Sequence, residues 1–507
     1  MPAMWAELLN LLGGYASWLV AGLAFAHLIA LFGFVLVERR EPSSTLSWVF
    51  ALVFLPGVGL LMWLLIGPQR QVRKARRRAM VNRSAVDVLQ GWAVDPLDDL
   101  SSVAVPEAQA MIRLGTRLTT TPPTRGNRCT PLIDGAAAYE AMAKAIAEAV
   151  DHVHVEFYII REDEEGERLI AALAARAAAG IEVRVLVDHI GSHGLSGRFW
   201  APLLRAGGKM ATFGKPGIYL RLRGGGRVDF RNHRKIVVVD GRVGFCGGIN
   251  IGREYLGADR DIGHWRDTHV QIEGPAVIGL QATFALDWHA SEGGAIGGER
   301  YFPAPPEEAL GPSVVHIVDS GPDRRWSPIR HLYLQAAALA RYRLWLTSPY
   351  FVPEQAMLQA LVGAALRGVD VRLLVPKRSD NRLVTWASKS YFGELLEAGV
   401  RIYEYDAARR RRFSFRGTGK PGMIHAKTLV VDDCLATIGS TNMDLRSFDL
   451  NYEIDALVYG AEFAAEMAAQ FKRDLHATVR LRLAEVQGWG HMRRLKHGAA
   501  RLLSPLL

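Results

Sequence analysis

One polar spacing occurs twice in this chain and constrains its fold more than any other feature. His233-x-Lys235 is followed by Asp240, Gly247, Gly248 and Asn250 in HRKIVVVDGRVGFCGGIN, and His425-x-Lys427 by Asp432, Gly439, Ser440 and Asn442 in HAKTLVVDDCLATIGSTN. Side chains two apart in an extended chain share a face, so each His-Lys pair points at one spot while the apolar run behind it packs inward. IVVV and TLVV have the branched content of strands, and Asp240-Gly241 reads as a hairpin turn into a returning strand. Two such hairpins facing each other would surround one anionic ligand with two imidazoles and two ammonium groups.

That set of groups points to phosphoryl transfer in two steps. A phosphodiester is anionic and resists attack, so a site must neutralise its oxygens and supply both a nucleophile and an acid for the leaving group. Lys235 and Lys427 suit the first task, with Asn250 and Asn442 as amide donors. Gly248 and Ser440 are small enough to let an anion approach the backbone, and only the second copy offers a hydroxyl there. Imidazole, with an ordinary pKa near ~6.5, serves as neutral nucleophile or proton donor, so one histidine can be phosphorylated while the other protonates the departing alcohol. Aligning RDTHVQIEG with YEIDALVYG sets Asp267 opposite Glu453, two carboxylates placed to orient the histidines. Asp240 and Asp432 complete the motif and are counted with His233, Lys235, His425 and Lys427 in the catalytic set, although as turn residues they are expected mainly to position lysine and backbone.

The repeat extends beyond the motifs. An Ala-rich helix from Gly135 to Val150 leads into HVHVEFYII, as HLYLQAAALARY leads into RLWLTSPYFVP. RAAAGIEVRVLVD then matches GAALRGVDVRLLVP, and APLLRAGGKMATF matches FGELLEAGVRIYEY. Helix and strand alternate in each half, giving an α/β fold of two similar halves, residues 128–300 and 301–480, that form one catalytic body. A basic loop precedes each motif: Arg221, Arg223, Arg227 and Arg231 in the first, Arg409 to Arg412 and Arg416 in the second. Both are read as substrate-side. Residues 70–127 read as a basic juxtamembrane segment and linker ending in an edge element, and 481–507 as a basic amphipathic tail that either packs on the body or lies on a membrane.

The N-terminal segment, 1–69, carries uncharged apolar runs from Trp18 to Val37 and from Leu46 to Gly67, each near the ~20 residues of a transmembrane helix. Arg70, Arg73, Lys74, Arg76, Arg77, Arg78 and Arg83 follow the second, which places the catalytic region on the cytoplasmic side. A net charge of +10 suits an acidic lipid surface or a nucleic acid. No aromatic stacking platforms are spaced for bases, so nucleic acid is not expected. Cys129, Cys246 and Cys434 are scattered without metal-ligand spacing, which implies a reducing compartment.

The doubled motif with both Gly-[Gly/Ser]-x-Asn tails resembles the double HKD signature of the phospholipase D superfamily. With the two apolar runs, nearly the whole chain is similar to the bacterial cardiolipin synthases. The resemblance implies His233 as nucleophile and His425 as acid and base, and a phosphatidyl group passed between two phosphatidylglycerol molecules to give cardiolipin and glycerol. It also implies a multi-pass protein of the bacterial inner membrane. A phosphodiester hydrolase, lipid-directed or nuclease, would use the same histidines with water as acceptor, and a silent lipid-binding scaffold would need neither His-Lys pair. Because lysines supply the positive charge, and an ammonium is no metal ligand, neither a metal nor a cofactor is expected. Activity should therefore persist in EDTA; loss on chelation that a divalent ion restores would contradict this.

Overall fold

The computed structural model describes residues 106–214, 229–258, 263–292, 294–304, 306–324, 326–408 and 422–503, with 42–55 and positions 18, 22, 25, 58, 59 and 62. These fall in two units. The N-terminal one holds helix α1 (Pro42–Phe54), on which Leu52 is buried while Leu46, Phe50 and Phe54 are exposed. Among the described residues no helix is long and apolar enough to cross a membrane; most of the two apolar runs, the basic segment 70–83 and most of the two basic loops lie outside those residues.

The second unit opens with α2 (Pro106–Leu118) and β1 (Thr124–Ile133). The first half follows as α3 (Asp134–Glu148), β2 (His152–Phe157), α4 (Glu164–Ala178), β3 (Glu182–Asp188), α5 (Gly197–Arg205) and β4 (Lys209–Phe213). It continues with the motif hairpin, β5 (Lys235–Val239) and β6 (Val243–Gly247), then β7 (Thr268–Glu273) and α6 (Val277–Glu292). The second half repeats the series after β8 (Ser313–Ser320): α7 (Pro328–Leu339), β9 (Arg343–Thr347), α8 (Gln355–Leu366), β10 (Asp370–Pro376), α9 (Arg382–Lys389), α10 (Phe392–Glu397) and β11 (Arg401–Tyr405). Its hairpin is β12 (Thr428–Val431) and β13 (Leu435–Gly439), followed by β14 (Asn451–Tyr459), α11 (Ala461–Leu475), β15 (Thr478–Arg480) and α12 (His491–Leu502).

Among the described residues both halves lie in one mixed sheet of 16 strands: fifteen follow the path β15-β11-β10-β9-β12-β13-β14-β8-β1-β7-β6-β5-β2-β3-β4, and the two-residue strand Arg231–Asn232 pairs with β14 off that path. The βαβ units β2-β3-β4 and β9-β10-β11 are parallel, and each motif hairpin runs antiparallel beside the first strand of its unit. The strands beside the motifs are buried on both faces, which explains their unbroken runs of Val, Ile and Leu.

Two readings of the sequence are corrected. β1 is no edge element: it sits mid-sheet, antiparallel to β7 on one side and β8 on the other, at the join of the halves. Nor is 106–118 linker. α2 buries Ala108, Met111 and Ile112 in the second half's core with Leu332 and Ala336. In both cases the partners lie far along the chain, and short polar stretches such as TRGNRCTP carry no periodicity that would name them. The tail does pack on the body, through α12 against α9, with Ala500 and Val486 in the core.

The aspartates of the two motifs stand at the hairpin turns, at the far end of β5 from Lys235 and of β12 from Lys427. Asp240 (φ 53°) and Gly241 (φ 64°) form the left-handed pair of a tight turn, and Asp432 takes φ 47° in the second copy. The Asp240 carboxylate accepts the backbone N–H groups of Val150, Asp151 and His152 at 2.8–2.9 Å. Asp432 accepts those of Arg341, Tyr342 and Arg343 at 2.8–3.0 Å. Each aspartate thus pins its hairpin to the start of the neighbouring strand and has no direct part in the cluster of histidines. Asp432→Asn keeps a residue tolerant of positive φ but loses an acceptor oxygen and the charge, so it should cost about 1.5–3 kcal/mol. Thermal unfolding of the purified protein checks this, and an unchanged midpoint would refute it.

Candidate active site

The site forms where the segment before each motif meets the other half. Arg231–Asn232 pairs in parallel with Asn451–Tyr452, and Met423–Ile424 with Trp265–Arg266. The His233 amide donates to the Tyr452 carbonyl at 2.9 Å and the His425 amide to the Arg266 carbonyl at 2.7 Å. Each histidine is thereby fixed beside the strand that carries the opposite acid.

The consequence is an exchange of carboxylates. His233 Nδ1 lies 3.0 Å from Glu453 Oε2, and His425 Nδ1 lies 2.7 Å from Asp267 Oδ2. Both acids are fully buried and both histidines nearly so. A carboxylate at Nδ1 holds the proton there and leaves Nε2 with its lone pair. Aligning the repeats set Asp267 opposite Glu453, but it carried no sign that each lies beside the other half's histidine.

The lysines are buried with them. Lys235 Nζ donates to the His233 carbonyl at 2.5 Å and sits 5.4 Å from the centre of the Tyr158 ring. Lys427 Nζ donates to the His425 carbonyl and lies against the ring, 2.8 Å from His425 Nδ1 and 3.1 Å from Nε2. Burial pushes the Lys235 ammonium down to about 7 against the pull of Glu453, with Lys427 adding to the fall; burial likewise pushes Lys427 down to about 8, against Asp267 and Glu453. Burial lowers His233 to about 4, opposed by Glu453 and reinforced by Lys235, and it lowers His425 too, with Lys427 beside it. Burial works against ionising Asp267 and Glu453, yet the first is held below its ordinary value by Lys427 and His425, the second by His233 and Lys235. The site therefore holds two carboxylates, two imidazoles poised to be neutral, and two ammonium groups whose charge an entering anion would restore.

The Gly-[Gly/Ser]-x-Asn loops have unequal roles. Ser440 Oγ donates to Glu453 Oε2 at 2.5 Å, so its hydroxyl is committed to the acid behind His233. A Cβ at Gly248 would stand 2.2 Å from Asp267 Oδ1. The shorter aspartate sits closer to the backbone and requires the glycine, whereas the longer glutamate leaves room for serine. Asn250 bridges elements: its Oδ1 accepts the Ile159 amide at 3.2 Å and its Nδ2 donates to the Tyr255 hydroxyl at 2.8 Å. Asn442 Oδ1 is buried and has no partner among the described residues.

Sequence reasoning passed over several neighbours. Arg234, between the motif His and Lys, is fully buried, bonded to Asp287 of α6, to Asp319 and the Ser320 carbonyl of β8, and to the Glu453 carbonyl. It ties the halves together behind the site. Tyr158 lies edge-on to His233 at 4.9 Å, and Trp265, Tyr255 and Tyr350 surround His425 at 5.2–6.3 Å. These rings cover the imidazoles; Tyr158 and Tyr350 lie outside regular elements, Tyr255 in a single helical turn and Trp265 in a two-residue strand, all too short to carry a periodic signal. Among the described residues no group of His, Cys, Asp and Glu is arranged to hold a metal ion.

Paired α/β halves with His-Lys hairpins converging at their join define a phospholipase D-like protein. The family described as "Cardiolipin synthase, PLD-like domain" matches residues 142–284 and 333–475, and one described as "Phospholipase D-nuclease N-terminal" matches 23–68. The cardiolipin synthase of Alkalihalophilus pseudofirmus is 36% identical over 499 residues, covering 98% of this chain and 96% of that protein. That of Geobacillus thermodenitrificans is 37% identical over 472 residues (93% and 90%), and that of Staphylococcus aureus 34% over 495 (96% of each). The chain belongs to the cardiolipin synthase family of phospholipase D-like proteins. A phosphatidylserine synthase from Haemophilus influenzae, at 13% identity, covers 79% of this chain and all of its own with a TM-score of 0.58, a likeness of fold.

The lysine values set the pH response. In the free enzyme, kcat/KM for an anionic lipid should fall as pH rises, because His425 must carry a proton that burial disfavours and because Lys235 and Lys427 lose their charge through about 7 to 8; it should also fall at the acid end, where His233 protonates near 4. Initial rates in mixed micelles from pH 5 to 9 test this; a profile flat across the alkaline range would contradict it.

Proposed function

We propose that the chain makes cardiolipin and glycerol from two molecules of phosphatidylglycerol through a phosphohistidine. The observation that carries this reading is the pair of buried imidazoles, each with Nδ1 held by a carboxylate and each beside a buried lysine. An arriving phosphodiester supplies the negative charge that keeps Lys235 and Lys427 protonated and raises the proton affinity of His425. His233 Nε2 attacks phosphorus, the bond to the headgroup glycerol breaks, and protonated His425 gives that glycerol its proton. The terminal hydroxyl of a second phosphatidylglycerol then passes its proton to His425 and attacks phosphorus, and the phosphorus–nitrogen bond breaks. Two features favour His233 as the nucleophile: Ser440 and Glu453 brace its Nδ1 side, whereas the Lys427 ammonium lies against the His425 ring, within reach of both its nitrogens.

Asn250, Asn442, Gly248 and Ser440 are read as the cradle of the phosphate, with Asn250 and Ser440 acting mainly by bracing its walls. The membrane setting rests on the two apolar runs and on the N-terminal unit, where Trp18, Phe25, Phe50 and Phe54 are exposed. We read 1–69 as an anchor of two transmembrane helices, with the body on the cytoplasmic side of a bacterial inner membrane.

The test is product analysis by mass spectrometry, with full-length protein and phosphatidylglycerol in mixed micelles. Cardiolipin and glycerol should appear in equal amounts, and His233→Ala or His425→Ala should each lower transfer by at least about 10³-fold. Phosphatidic acid as the main product would reassign the acceptor to water.

A further inference from the structure

Helix α12 is held in one rotation by its inner face. Ala500 is in the core, His497 is buried with its ring 4.9 Å from Trp489, the Arg493 guanidinium lies 4.1 Å over Trp489, and Arg501 lies 4.5 Å over Tyr391. The opposite face is then fixed outward. Met492, Leu495, Ala499 and Leu502 recur at helical spacing along it; Met492 and Leu495 are each 66% exposed and Leu502 82%. Arg494 borders this stripe on one side and Lys496 on the other. From Trp489 to Leu507 the chain holds four Lys or Arg and no Asp or Glu.

An apolar stripe with cations on both margins complements a surface that is apolar beneath and anionic above. At ~1.5 Å per residue the stripe is too short to span a bilayer but long enough to lie in its headgroup region. A protein groove would satisfy the leucines, but it would not call for cations on both margins with no acid in the segment. We propose that α12 is an interfacial helix, which seats the second half on a bilayer rich in acidic headgroups through Met492, Leu495, Ala499 and Leu502. This docking is separate from the chemistry of the histidines.

The test uses the full chain carrying Leu495→Cys, labelled with an environment-sensitive fluorophore and reconstituted in vesicles of phosphatidylcholine with or without phosphatidylglycerol. The unsubstituted chain, with Cys129, Cys246 and Cys434, gives the labelling background. Nitroxide carried on lipid should quench the label strongly in phosphatidylglycerol vesicles, and the added changes Arg494→Glu and Lys496→Glu should weaken that quenching on the order of fivefold or more. Transfer in detergent micelles should survive those changes. Equal access of aqueous iodide to the label in both vesicle types would overturn the proposal. So would shielding that persists in detergent without lipid, which would assign the face to another part of the chain or to a second copy.

Discussion

The site depends on one constraint: an imidazole buried beside a lysine needs an acceptor at Nδ1, and in this chain that acceptor always comes from the other half. His233 takes Glu453 and His425 takes Asp267. Neither half contains a complete histidine site, so the halves must be held to within hydrogen-bonding accuracy. The architecture supplies that rigidity in three ways. The sheet runs unbroken through β1 and β8, the segments before each motif pair with the strand that delivers the opposite acid, and buried Arg234 binds groups on both sides. An unpaired buried guanidinium would be costly, so the ion pairs of Arg234 with Asp287 and Asp319 tolerate little relative movement.

Charge is the second organising quantity. Two carboxylates and two lysines lie in one water-poor cluster with two imidazoles, and the burial that depresses lysine ionisation also makes the cluster receptive to a further negative charge. Donors that are oriented before the ligand arrives need little reorganisation during reaction, and such preorganisation is worth most where water is excluded. The rings of Tyr158, Tyr255, Trp265 and Tyr350 cover the imidazoles on the protein side.

Much of this was legible in the residues. The two-residue spacing of His and Lys, the hairpins and the helix-strand repeat are local patterns, and local patterns survive in sequence. The equivalence of Asp267 and Glu453 was legible too, because repeats preserve register. What could not be read was long-range: which acid meets which histidine, that β1 lies mid-sheet, and that α2 packs on the second half although the first follows it directly in the chain. The Gly248 and Ser440 difference appeared in the sequence as one missing hydroxyl. Its cause, the length of the acid each residue faces, emerges only when Gly248 is seen against Asp267 and Ser440 against Glu453. The motif aspartates were suited to two roles by their chemistry, and their backbone bonds favour the architectural one.

The crossed acids also bear on synthesis. His233 leaves the ribosome long before Glu453, the last of the six charged and imidazole groups to emerge, so a nascent chain carrying a finished first half still has an unbraced imidazole. The proposed phosphodiester chemistry would thereby wait until β14 pairs with β8 and β13. A truncated or stalled product, though it displays one intact motif, would be unable to consume the lipid around it.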